Sequence, residues 1–280
     1  MKKFRTTNSH KIKKLTAITK EVIKSCSLDN GGIVAADSTK SYYPQAAKNY
    51  FYVWPRDASF ACIAADVSGM KGIQKKFFNW CFERAEGFNQ KGLFYEKYYP
   101  NGLKASASFQ PDQTGTVLFA LWHHYKDNKN HAKQFHNFIK TAADGICKIW
   151  RKTHFNEVTN DLWEERFCFP DLSENFTYSL AACIKGLACA NAFLPDKKWI
   201  TVSNEMRNQL DKHFLSYFVR SYGDLPDERI DASALGLVYP FEIYDSNDQR
   251  IEASVREIEK RLCTNGGIHR YEHGDCGVIL

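Results

Sequence analysis

The sequence predicts an all-α fold, read as a double-layered barrel of helical hairpins. Three observations carry that expectation. Apolar residues recur at spacings of three and four through most of the chain, the period of one helix face. No run alternates apolar and polar residues for long enough to read as a half-buried strand. Gly and Pro cut the pattern into about nine helical segments that come in pairs, joined alternately by short turns and long loops. In such a barrel alternate connections fall on opposite ends, so one end keeps short turns while the other grows functional loops.

The elements follow in order. Residues 11–25 place Ile12, Leu15, Ile18, Val22 and Ile23 on one face of an amphipathic helix. Gly31-Gly32 opens an irregular, Tyr-rich segment that runs to Trp54. Helical periodicity resumes at about 57–68, 71–88, 113–127 and 131–151, then at about 174–193, 197–219, 231–238 and 248–262. Gly69, Gly92, Pro100-Asn101-Gly102, Pro195 and Gly223 punctuate the gaps. No low-complexity linker divides the chain, so residues 1–280 read as one domain with a basic leading helix over 1–25.

Composition removes several function classes. With 44% hydrophobic and 14% aromatic residues, the 280-residue chain has ample material for a core and lacks the signature of disorder. The net charge of +6 sits in the leading segment, where residues 1–25 hold eight Lys/Arg against Glu21 alone. The remainder is close to neutral, so no basic face for nucleic acid or membrane is expected; the leading lysines read as a solvated helix face. No apolar run approaches the ~20 residues that span a bilayer, and no apolar stretch follows the first lysines as a secretory signal needs. The nine Cys are odd in number, widely spaced and mostly in apolar surroundings, which fits reduced, buried thiols in the cytoplasm. The pair His123-His124 has no second ligand at metal spacing, and adjacent helix residues point roughly 100° apart, so no metal or cofactor is expected.

The long loops carry the chemistry. In "YFYVWPRDASF", residues 50–60, Trp54 offers a stacking face, Arg56 a fork of donors and Asp57 paired acceptors for adjacent sugar hydroxyls. The plainer reading makes Asp57 the N-cap of the small-residue helix that follows. Asp112 in "SFQPDQTGTVLFALWHHY" admits the same reading, with Gln110 and Gln113 beside it. The stretch "DLWEER" sets Asp161, Glu164 and Glu165 around Leu162-Trp163, either a solvated turn or a carboxylic acid held against an aromatic wall. The last loop, "GGIHRY", presents Arg270 and Tyr271 from a Gly-Gly turn. No Ser-His-Asp order, phosphate loop or dinucleotide fingerprint occurs, which leaves carboxylate acid/base work on a hydroxyl-rich substrate.

"YVWPRDA", "QPDQTG", "DLWEER…FTYSLAA" and "DASALGLVYPF…GGIHRY" stand in the order found in the glucoamylase-like glycoside hydrolases, glycoside hydrolase family 15. The resemblance runs from about Asp29 to about Tyr271. It implies an (α/α)6 barrel and hydrolysis of α-glucosidic bonds with inversion, on starch-type glucans, α-1,6-linked dextrans or trehalose. It makes Glu164 the general acid, has Glu165 hold sugar in the adjoining subsite, and has Asp161 tune the acid's environment. Trp54, Arg56 and Asp57 match the part that grips the non-reducing-end glucose, and Arg270 an arginine that contacts sugar; Asp112 and Gln113 fall in a supporting loop. A general acid must hold its proton well above the reference ~4.3 of glutamate. Burial against Trp163 and the charge of Asp161 or Glu165 would both raise Glu164.

Inversion needs a second carboxylate ~6.5–9.5 Å away to activate water, and Glu165 cannot face its own neighbour across a sugar. The family's base lies late in the barrel, and no residue here aligns with it. About nine of twelve helices are counted. The expectation is therefore a barrel lacking its last helices. It would be a piece of a full enzyme, a truncation that kept sugar-binding loops, or a chain whose base comes from another of its residues or from a partner. A second chain supplying the missing helices is one expected partner, beside an α-glucan or oligosaccharide substrate. A catalytically silent glucan-binding or regulatory domain is the other functional reading.

Overall fold

The computed structural model describes residues 9–41, 43–84 and 92–274. Residues 85–88 of the expected third helix, the basic positions Lys2, Lys3 and Arg5, and Cys276 lie outside the described residues.

The chain is mostly helical. Helix α1 spans Ser9–Cys26, α2 Pro55–Val67, α3 Ile73–Arg84 and α4 Pro111–Tyr125. Helix α5 spans His136–Ile149, α6 Thr177–Phe193, α7 Lys197–Leu210 and α8 Gln249–Leu262. α2, α4 and α6 form an inner row of parallel helices. Their starts meet where Arg56 of α2 binds Asp112 of α4, which faces Ser179 of α6 at 3.5 Å. The far ends of α2 and α4 meet where Asp66 accepts from His124 Nδ1 at 2.7 Å. α4 is buried on every side from Pro111 to Leu121, as is α6 from Thr177 to Ile184; helices apolar all round belong in an interior. α5 and α7 bury one face each, α7 through Trp199, Val202, Met206 and Leu210 at helical spacing. They lock together by Trp199 Nε1 donating to Asp144 at 2.9 Å and Trp150 Nε1 donating to Glu205 at 3.0 Å.

Two glycines let the inner row close up. α4 and α6 make the most extensive helix contact in the fold. A Cβ on Gly186 would lie 2.7 Å from the Gly115 Cα, and one on Gly115 would overlap the Ala182 carbonyl. Only glycine at both positions permits this approach. The close crossing fixes the starts of α4 and α6 beside one another, and with them Asp112, Gln113 and Ser179.

The sequence reading differs from the structure in identifiable places. The segment expected helical at 197–219 stops at Leu210, passes through the 3-10 turn Asp211–His213, and becomes strand at Val219. The expected helix at 231–238 is a 3-10 helix, Ala232–Leu237, and the one at 131–151 starts as a single turn, Lys129–Ala132, before α5. Three small sheets also occur. Strand β1 (Thr159–Asn160) pairs β2 (Phe167–Cys168), and β6 (Cys263–Thr264) pairs β7 (Gly267–Ile268). Between them, β3 (Asn175–Phe176), β4 (Val219–Tyr222) and β5 (Asp227–Ile230) form an antiparallel sheet with β4 central. Strands of two to four residues are too short to show the period-2 alternation that a sequence reading needs.

Helix α1 forms as expected, but its apolar row stays exposed. Ile12, Leu15, Ile18 and Val22 keep 50–63% of their surface, while Ile23 and Cys26 are buried. Among the described residues no helix is long and apolar enough to cross a membrane, and all eight described Cys are free, seven of them buried.

Candidate active site

The site grows from the starts of α2 and α4 and from the hairpin turn between β1 and β2. Both helices begin with an X-Pro step, Trp54-Pro55 and Gln110-Pro111, and neither cap residue makes a side-chain cap bond. Proline's fixed φ suits the first helical position, where no N–H partner is available anyway. Asp57 and Asp112 therefore lie inside the first turn and are not N-caps, which corrects the plainer reading of both. An acid there still meets the positive end of the helix dipole.

Arg56 is buried and holds the loops together. Its Nη1 donates to Asp112 Oδ2 at 2.7 Å and to Gln110 Oε1 at 3.1 Å, and its Nη2 donates to the Leu162 carbonyl at 3.3 Å. Its backbone N–H donates to Gln113 Oε1 at 2.6 Å, and Asp57 lies 3.5 Å from Nη2. Burial pushes the Asp112 carboxyl up, against the pull of Arg56. Asp112 and Gln113 are thus the inner anchors of the arginine.

The stretch "DLWEER" is a turn, but not a solvated one at its base. Asp161 is only 2% exposed. Its Oδ1 accepts from the Glu165 and Arg166 backbone N–H groups at 2.9 and 3.1 Å, and its carbonyl accepts from Gln110 Nε2 at 2.6 Å. Its other oxygen pairs with Arg220, which also reaches Asp231 at 3.6 Å. Glu164 follows with φ +64, a left-handed conformation that turns its side chain away from the hairpin. It faces a cavity of about 270 Å3 lined by Tyr50, Trp54, Asp57, Trp163, Arg270 and Arg56.

Glu164 accepts a hydrogen bond from Trp54 Nε1. Lys97 Nζ stands 3.5 Å from its other oxygen and 2.7 Å from Glu96. Burial, then the charge of Glu96, hold the Glu164 carboxyl above the ordinary glutamate range, while Lys97 and the indole N–H act the other way. The expected sources differ. Asp161 is turned toward Arg220 and the backbone, away from the cavity, and the aromatic donor to Glu164 is Trp54. Trp163 instead donates Nε1 to Asp231 at 3.0 Å and lies under the Arg270 guanidinium at 5.1 Å. Glu165 bonds the Tyr271 hydroxyl and sits 4.0 Å from Arg270. The site brings Trp54, Arg56, Asp57, Trp163, Glu164 and Arg270 around one cavity; Asp161 and Glu165 support it from outside.

Sequence reasoning missed Glu96, Lys97, Arg220 and the role of Asp231. Glu96-Lys97 is an ordinary charge pair in a Tyr-rich loop. Only the backbone pairing of Val53 with Tyr98, at 2.9 Å in both directions, shows that it lies beside Trp54. Arg220 lies just past the segment expected helical at 197–219.

The family model for glycosyl hydrolases family 15 matches residues 15–275. The chain belongs to that family. An uncharacterized glycosyl hydrolase of Methanocaldococcus jannaschii is 31% identical over 275 residues, covering 92% of this chain and 42% of that protein. Trehalase 2 of Sulfolobus acidocaldarius is 24% identical, covering 89% of this chain and 48% of that protein. The chain thus spans less than half the length of these two curated relatives. A bacterial glucoamylase solved with acarbose shares the fold at a TM-score of 0.66 and 17% identity, covering 92% of this chain and 42% of that one. Membership makes glycoside hydrolysis the family chemistry, and the mostly helical structure agrees with it.

Proposed function

We propose that this chain carries the proton-donating half of an inverting hydrolase that releases glucose from the non-reducing end of α-glucosides. One observation carries the reading: Glu164, with its carboxyl held above the ordinary range, faces a small cavity walled by Trp54 and Trp163 and edged by Arg56, Asp57 and Arg270. Aromatic faces suit the apolar face of a pyranose, and Asp57 and Arg270 suit its hydroxyls. Glu164 gives its proton to the glycosidic oxygen as the C–O bond breaks. Water attacks the anomeric carbon from the other side and loses its proton to a carboxylate base.

The carboxylates lining the cavity are Glu164 and Asp57, and Asp57 stands beside Arg56 as a gripping group. We propose that the base comes from further helices that complete an (α/α)6 barrel around helices α1–α8 of the described residues. The exposed row Ile12, Leu15, Ile18 and Val22 supports this, because an apolar row at helical spacing suits another helix. The free cysteines favour a reducing, cytoplasmic setting for it.

The test is glucose release from maltose, isomaltose and trehalose by the chain joined to the helices that supply the base, with the first-formed anomer followed by NMR. Release that vanishes in Glu164→Gln is expected, with β-glucose appearing first; turnover that survives that substitution overturns the assignment. The position of Asp57 beside Arg56 also favours a second reading, a silent glucan-binding domain. Calorimetry that shows maltooligosaccharide binding, with no turnover even when those helices are supplied, selects it.

A further inference from the structure

We propose that Glu96 and Lys97 are positioning residues for Glu164, a charge pair of a buried glutamate and a half-buried lysine in which the lysine is shared between the two glutamates. The proposal rests on Glu164 as the proton donor. Its basis is geometric. Lys97 Nζ lies 2.7 Å from Glu96 and 3.5 Å from Glu164, so its charge belongs mainly to Glu96 while Glu164 holds its proton. Glu96 is only 5% exposed and is fixed on three sides. Its carboxylate accepts from Lys97 and, at 3.3 Å, from Asn160 Nδ2, and its carbonyl accepts from Gln113 Nε2 at 3.0 Å. Asn160 immediately precedes the acid-bearing turn, so the same contact ties Glu96 to the turn. The Lys97 ammonium lies 4.9 Å from the centroid of Trp54, whose N–H binds Glu164.

The arrangement does two things. Before reaction, the fixed charge of Glu96 favours the protonated form of Glu164. When Glu164 gives its proton to the leaving oxygen it becomes a carboxylate, and Lys97 and the Trp54 N–H are already in place to stabilise that charge. The other charged groups facing Glu164 are Arg56 and Asp57 from the start of α2 and Arg270 from the last loop. Arg56 is occupied by Asp112 and Gln110, so the adjustable balance lies between Glu96 and Lys97.

The experiment follows the Glu164 carboxyl by 13C NMR in glutamate-labelled protein, with its resonance assigned by loss in Glu164→Gln. Glu96→Gln should lower the titration midpoint by roughly one pH unit, and Lys97→Met should raise it by a similar amount. Lys97→Arg should restore the wild-type midpoint to within a few tenths of a unit. Midpoints that stay put, or that move in the same direction in both variants, overturn the proposal. Should Glu96→Gln fail to fold, Lys97→Met decides alone: an upward shift supports the pair, and no shift or a downward one refutes it. The readout needs no turnover. Opposite shifts, with no glucose release from the chain joined to the helices that supply the base, leave the charge pair standing and sink the glycosidase reading; release with unmoved midpoints does the reverse.

Discussion

Helices α2 and α4 lie side by side, and each end of the pair gathers a carboxylate with nitrogen bases, to different effect. At the starting ends Asp112 is fully buried and locked to Arg56, a cation at any working pH. At the far ends Asp66 accepts from Gln74 Nε2 at 2.8 Å and from His124 at 2.7 Å, and faces His123 at 3.4 Å. The far end holds the larger cavity, about 760 Å3 against about 270 Å3. On the proposed function, volume therefore does not mark the chemistry. What separates the ends is the company each carboxylate keeps. Asp66 is surrounded by donors. Glu164, beside the Arg56 end, has an indole wall and a like charge nearby, the surroundings that keep a proton on a carboxyl.

The comparison is tested most strongly by removing one carboxylate at each end. In the chain joined to the helices that supply the base, Glu164→Gln should reduce glucose release by roughly 10²–10⁴-fold, the contribution typical of a general acid. Asp66→Asn should leave the rate within a factor of about two. Comparable losses from both would end the distinction between the two ends. Stability should also divide them. Asp112→Ala leaves the Arg56 guanidinium buried without its partner, and the expected loss is about 3–5 kcal/mol in urea unfolding. Asp66→Ala, at a carboxylate 18% exposed and opposite histidines, should cost no more than about 1 kcal/mol.

Glycines sharpen the same contrast on a smaller scale. Gly115→Ala would push a methyl into the Ala182 carbonyl and separate α4 from α6, at a cost of roughly 1–3 kcal/mol. Gly69, past the end of α2, has φ +72 and nothing within 4 Å of where a Cβ would lie. Gly69→Ala then costs only left-handed strain, roughly 1–2 kcal/mol. Thermal midpoints of the two variants check the order. Loss of glucan binding in Gly115→Ala but not in Gly69→Ala would tie the crossing to the site as well as to the core.

How much of this was readable in advance depends on how local each signal was. The helices were readable because apolar periodicity is a property of a short window, and α5, α7 and α8 obey it. Glu164 was readable because "DLWEER" sits among loops that share its vocabulary. The groups that set its proton affinity were not. Glu96 and Lys97 reach it through one backbone pairing between Val53 and Tyr98, and nothing in the local sequence announces a contact between segments so far apart. The partner of Asp161 was hidden for the same reason. Arg220 lies on a four-residue strand that the helical reading passed over, so nothing in the local sequence showed that Asp161 is held in a buried ion pair. Asp57 and Asp112 were assigned to caps because Pro55 and Pro111 were not read as the first helical residues.

The smallest expected effect concerns pH. The Glu164 carboxyl is raised, first by burial and then by Glu96, so the folded state binds that proton more tightly than the unfolded chain does. Its favourable contribution is present below the unfolded glutamate value and is lost as pH rises through the folded one. Glutamine carries no charge at any pH and escapes that loss. Glu164→Gln should therefore gain stability relative to wild type between acidic and mildly alkaline pH, read as the difference in urea midpoint at two pH values. A midpoint difference for Glu164→Gln that stays constant with pH would mean that the carboxyl is solvated in the folded state, and the contrast between the two ends of α2 and α4 would lose its electrostatic basis.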